Sequence, residues 1–143
     1  MVNPEISMTD KLMLAVVDDD SSIVETLKML LSTRGWQVSS HGCAESLLGA
    51  LIPCQKRLMI KDDEGKLCYL QAVVADYNLP GISGVELAHR LMKFSPHLHI
   101  IMMTGAHDEL ELVLKRRFPG VVSLSKPFSI RDLEVALLIS RPT

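Results

Sequence analysis

Five polar side chains stand out because each closes or follows an apolar run. Asp18 and Asp19 follow residues 12–17, Asp76 follows 72–75, Thr104 follows 98–103, and Lys126 lies just beyond 121–124. Together they supply three carboxylates, a hydroxyl and an ammonium. Carboxylates gathered closely repel one another unless a cation neutralises them, and hard oxygen ligands left partly open to water suit Mg²⁺. With Thr104 and Lys126 beside them, such a set has what phosphoryl transfer requires. Metal and ammonium offset oxyanion charge, and a hydroxyl orients it. An aspartate can then act as the nucleophile.

For these groups to meet, the runs that carry them must be strands of one sheet. Short unbroken apolar runs ending in acid, such as Leu-Met-Leu-Ala-Val-Val before Asp18, read as strands buried on both faces of a parallel sheet. Between them lie helical patterns. Ile23, Leu27, Leu30 and Leu31 recur at helical spacing, with Ser22 and Glu25 as a capping box and Gly35 at the stop. Residues 36–40 read as a second strand, and residues 44–51 as a short helix closed by Pro53. A helix from about Val85 to Phe94 carries a Ser83–Glu86 capping box. A more polar helix is expected from near Asp108 to Phe118, and a last one begins near Ser129 and buries Leu133, Leu137 and Leu138. Five β-then-α units with right-handed crossovers put helices on both faces of a doubly wound α/β sheet. In such sheets ligands bind beyond the carboxyl ends of the strands, where the five side chains stand.

Residues 55–71 interrupt this rhythm, since two to six residues normally join a helix to a strand. Two mixed runs flank the polar tip Asp62-Asp63-Glu64-Gly65, so the segment reads as an inserted β-hairpin before the third strand, with a mobile loop as the alternative. Its outer strand would present Leu58, Ile60 and Leu67 as a recognition surface.

At 143 residues and 48% hydrophobic, the chain has material for one core of ordinary size. The expected layout is an N-terminal tail (1–11), a domain (12–140) and a short C-terminal tail (141–143). A net charge of −2 without like-charged blocks gives no footprint for direct nucleic-acid binding. Cys43, Cys54 and Cys68 have no C-x-x-C spacing and suit a reducing compartment. No apolar run approaches the roughly 18 residues of a membrane helix, and residues 1–11 lack a signal-peptide centre. The expectation is a cytoplasmic protein.

The order Asp18-Asp19, Asp76 with Leu79-Pro80-Gly81 behind it, Thr104-Gly105 and Lys126-Pro127-Phe128 resembles the CheY-like receiver domain of two-component response regulators. The likeness covers about Leu12 to Ser140, leaving out the insertion and both ends. It implies the flavodoxin-like strand order 2-1-3-4-5. It further implies that Asp76 accepts a phosphoryl group and that Asp19, Asp76 and the backbone carbonyl of Asn78 bind Mg²⁺, with Asp18 assisting through water. Thr104 would hydrogen-bond the phosphoryl group, Lys126 would pair with it, Gly105 would leave room for it, and the Lys126–Pro127 bond would be cis. The donor would be a histidine kinase or phosphotransfer protein. The signal would pass to a downstream target or an output domain on a longer chain, with a homodimer as one form. Such a domain is not an enzyme in the usual sense; it catalyses only its own phosphorylation and dephosphorylation.

One position departs from the pattern. Receivers usually place an aromatic residue three positions before the lysine, where this chain has Ser123, so the usual aromatic switch is in question. Other readings stand beside the first. His97 and His99 could share a strand face and bind metal, but no third ligand is evident. Asp108, Glu109 and Glu111 with Lys115, Arg116 and Arg117 form a charged helix surface that by default is solvated. Asp20 reads as a helix cap. A receiver-like interaction module without phosphorylation differs only at Asp76. A haloacid-dehalogenase-like phosphatase would also use an aspartate, a threonine and a lysine, but it needs an acidic pair at a later strand end, and here only Asp132 and Glu134 follow.

Overall fold

The structure, a computed structural model, describes residues 12–105 and 116–139. Residues 1–11, most of the polar helix expected from near Asp108, and residues 140–143 lie outside the described residues. The elements are β1 (Leu12–Val17), α1 (Ser21–Ser32), β2 (Trp36–His41), α2 (Ala44–Ala50), β3 (Ile52–Cys54) and β4 (Arg57–Lys61). They continue with β5 (Leu67–Asp76), α3 (Gly84–Phe94), β6 (His99–Thr104), β7 (Val122–Ser125) and α4 (Ile130–Ile139). Among the described residues, no helix is long and apolar enough to cross a membrane.

Five strands pair in parallel in the order β2-β1-β5-β6-β7, which is the expected 2-1-3-4-5. The unbroken apolar runs follow from burial on both faces. In β1, Met13, Ala15 and Val17 point into one core with Leu47 of α2 and Leu87 and Leu91 of α3. Leu14 and Val16 point into the other, with Leu27 and Leu31 of α1 and Leu133 and Leu137 of α4. Helices therefore cover both faces, as expected of a doubly wound sheet.

The helix starts show where local chemistry wins. For α1 the cap is Asp20, whose carboxylate accepts the Ser22 N–H at 3.0 Å, and not the Ser22–Glu25 box. The helix begins at Ser21, so the capping position falls two residues before Ser22. Ser83 caps α3 by accepting the Glu86 N–H at 3.1 Å, while the Glu86 carboxylate turns to Arg90. At α4, Ser129 and Asp132 form a full reciprocal box, both bonds 3.1 Å.

The insertion corrects the sequence reading in three ways. It begins earlier than residue 55, because Ile52–Cys54 forms an additional strand antiparallel to β4. Its far arm is not a separate strand: Leu67–Tyr69, which pair with β4, belong to the same ten-residue strand that ends at Asp76. And Leu58 and Ile60 are buried, packing in the α2/α3 core with Cys68 and Leu70. The outward face is β3, whose Pro53 removes a backbone donor from the sheet edge and blunts it against further pairing.

The β3–β4 turn places Gln55 and Lys56 at φ of 48° and 64°, both in the left-handed region that a two-residue hairpin turn demands. Neither is a residue that enters it cheaply. Replacing the pair by Asn-Gly is expected to stabilise the domain by about 1–2 kcal/mol, read as a higher midpoint in thermal or urea unfolding. An unchanged midpoint would count against strain at this turn.

Candidate functional site

Parallel register brings four strand ends level. Val17 stands opposite Ala75, Asp76 opposite Met103, and Thr104 opposite Ser125. The main chain is tied across these ends: Asp18 N–H donates to the His41 carbonyl (3.1 Å), Tyr77 N–H to Met103 (2.8 Å) and Lys126 N–H to Thr104 (2.8 Å). Gly84 opens α3 hard against Asp76, since a Cβ there would lie 2.4 Å from the Asp76 carbonyl oxygen and 2.8 Å from Met102 Sδ.

On this frame the expected residues converge. One carboxylate oxygen from each of Asp18, Asp19 and Asp76 lies within 4.8 Å of the others. Among the described residues this is the one such cluster of metal-ligating side chains. Lys126 Nζ donates to Asp18 Oδ2 at 3.0 Å and stands 3.4 Å from Asp76 Oδ2. Asp18 is almost fully buried, its other oxygen accepting the Asp20 N–H at 2.9 Å. Asp19 is exposed at the mouth. The exposed Asn78 donates its N–H to Asp76 Oδ1 at 3.3 Å. Thr104 is fully buried, and its hydroxyl has no partner among the described residues. The Lys126–Pro127 bond is cis.

The electrostatics are lopsided. Burial, and then the charge of Asp18, raise the Asp76 carboxyl above the ordinary aspartate range, with Lys126 offsetting only part. Burial alone would lower Lys126, but Asp18 and Asp76 outweigh it and hold the ammonium above its usual value. Asp18 and Asp76 thus share one cation, with the Asp19 carboxylate beside them. An acidic excess, oxygen donors and an open side fit a hard divalent ion, and an orphaned buried hydroxyl fits an oxyanion placed beside it.

Other expected groups stand elsewhere. His99 opens β6 with Nδ1 3.2 Å from the Leu137 carbonyl, His97 precedes the strand, and neither joins a metal-ligating cluster among the described residues. Ser123 sits mid-strand in β7, half-buried. Two residues were not singled out in the sequence. Gly84 could have been noticed as the residue just inside the Ser83 cap. Glu45, whose Oε1 accepts the Ile82 N–H at 3.2 Å, is drawn from 37 residues away and leaves no local signal.

Residues 14–138 match the family described as the response regulator receiver domain. This chain belongs to that family. It is 34% identical over 122 residues to the transcriptional regulatory protein FixJ of Azorhizobium caulinodans, a match covering 85% of this chain and 51% of that protein. The non-phosphorylated HemR receiver domain from Leptospira biflexa is similar in fold, with a TM-score of 0.72 at 21% identity over 93% of this chain and 97% of that one. A BeF3-activated DrrB receiver domain gives 0.67 at 27% identity over 92% and 99%. The receiver spans about half the length of the curated relatives it matches. The family's role is that of phosphoacceptor in two-component signalling. Membership sets aside the haloacid-dehalogenase-like reading, and Asp132, which that reading would need, is in the first turn of α4 and bonded to Ser129.

Proposed function

We propose that this receiver takes a phosphoryl group from the phosphohistidine of a histidine kinase or phosphotransfer protein onto Asp76. Mg²⁺ would be held by Asp18, Asp19, Asp76 and the backbone carbonyl of Asn78. The observation that carries the reading is the convergence of three carboxylates, two of them on the Lys126 ammonium, at the strand ends where a buried hydroxyl lacks a partner among the described residues.

Bound there, the metal would neutralise carboxylate repulsion and offset charge on the transferred group. The chain's own residues do the rest. An Asp76 carboxylate oxygen forms the new bond to phosphorus as the bond to the histidine nitrogen breaks, and the departing imidazole keeps the electron pair. Lys126, steered by Asp18, places its ammonium against the oxygens that gain charge. The Thr104 hydroxyl donates to one of them and so gains the partner it lacks. Because Thr104 accepts the Lys126 N–H, a pull on its side chain moves the turn into α4 with it. With serine at 123, no ring fills the space a moving threonine leaves, so the signal passes through this backbone linkage. The recipient is a protein target, a second copy or an output domain, in the cytoplasm.

Incubation with Mg²⁺ and acetyl phosphate followed by intact-mass analysis is expected to show one added phosphoryl group, mapped to Asp76. No gain with this donor or with a phosphorylated histidine phosphotransfer protein would overturn the reading in favour of an interaction module without phosphorylation. Mg²⁺ should also raise the melting temperature by mass action. Asp19→Ala is expected to lose most of that rise, and an undiminished response would remove Asp19 from the ligand set.

A further inference from the structure

We propose that Glu45 is a positioning residue for the acceptor site, strapping the loop 77–83 to α2 so that the Asn78 carbonyl is held toward the metal. The inference rests on the ligand set proposed above.

The loop leaves Asp76 and must return to start α3. Its ends are tied by the Tyr77 N–H on Met103 and by the Gly84 N–H on the Tyr77 carbonyl at 3.3 Å. Between these ties Gly81 turns the chain at φ +72°, and the next amide, that of Ile82, donates to Glu45 Oε1. The second carboxylate oxygen lies along the same turn: a Cβ on Gly81 would come within 2.6 Å of Glu45 Oε2. Both oxygens therefore work against the loop, and the bare glycine is what lets them approach.

The platform behind Glu45 is rigid. Ala44 and Leu47 of α2 are fully buried, and Leu79 of the loop packs in the same core. A backbone ligand has no rotamer with which to search for its metal, so its direction is set by the loop's anchors. Partners outside the ligand shell tune affinity in this way. Glu45 also lies in the first turn of α2, where a negative charge favours the helix. That contribution appears in metal-free stability and not in Mg²⁺ affinity, which separates the two roles.

The test compares Glu45→Ala and Glu45→Gln with wild type in Mg²⁺ titration and in hydrogen exchange of the 77–83 backbone. Glutamine keeps an acceptor oxygen and loses the charge. The alanine variant is expected to bind Mg²⁺ about three- to tenfold more weakly, the range one net hydrogen bond supplies, and to exchange the Ile82 amide faster. The glutamine variant should stay within about twofold of wild type in affinity and protect the amide. Unchanged Mg²⁺ affinity in Glu45→Ala overturns the proposal. So does an equal loss in both variants, because that outcome assigns the effect to charge. Wild-type protein that neither binds Mg²⁺ nor accepts a phosphoryl group would overturn the site reading itself and the strap with it.

Discussion

Asp76→Asn is expected to abolish phosphorylation and, in metal-free protein at neutral pH, to raise the melting temperature. The amide keeps the shape of the side chain and loses the nucleophilic charge. The stability gain follows from the raised pKa of Asp76, caused first by burial and then by Asp18. In the unfolded chain this carboxyl loses its proton near 3.8; in the folded chain it holds it to a higher pH. Between those values the native state binds more protons, so stability falls as pH rises through that window, and the penalty is complete once the pH is above the folded-state value. Asparagine removes it. The advantage should therefore shrink as pH falls toward the unfolded value. Lys126 keeps Asp18 as a partner at 3.0 Å, so the substitution does not strand the ammonium. Melting curves of both proteins in chelator across this range check the sign. A clearly lower midpoint for the variant at neutral pH would contradict acidic crowding, and phosphorylation at undiminished stoichiometry would remove Asp76 as the acceptor.

Ile60→Ala carries the second large expected effect, a loss of about 2–5 kcal/mol against a total stability of about 5–15 kcal/mol for ordinary domains. Ile60 is 2% exposed and packs with Leu47 and Leu58 in the same core as Val73 and Ala75 of the acceptor strand. Excising residues 57–70 for a Gly-Ser linker should be worse still. It deletes Leu58, Ile60, Cys68 and Leu70 from the core and takes the first four residues from β5. Urea unfolding gives both numbers. A cost below about 1 kcal/mol for Ile60→Ala, well under the usual range for such truncations, would mean that β4 is a tolerated appendage.

The parallel sheet and the gathering of the acidic residues were legible because burial on both faces writes itself as unbroken apolar runs, whose polar ends a parallel register brings level. The insertion misled for a related reason. Along β5 the burial pattern alternates from Leu67 to Gln71 and becomes continuous from Ala72 to Ala75. That change reads in sequence as the end of one strand and the start of another. In the fold it marks the point where one strand passes from antiparallel pairing with β4 to parallel pairing with β6. Pro53 misled likewise, since a proline that stops a helix and a proline that blunts an edge strand look alike in one dimension. Glu45 was illegible on other grounds. Its partner is a backbone amide, which every residue but proline carries, so no pattern of side chains could have named it.

The bond from Lys126 to Asp18 joins positions 108 residues apart, and the strand that delivers the lysine, β7, is an edge of the parallel set and its last strand in sequence. Chains are made from the amino end, and domains fold as units during synthesis. Asp18, Asp19 and Asp76 thus leave the ribosome well before their counterion. Because the domain folds as a unit, the carboxylates are gathered only when β7 can also close on β6 and bring the ammonium that makes their gathering tolerable. Synthesis as far as β6 therefore leaves the acidic residues without the counterion their gathering needs, so the site is completed only once β7 has been made.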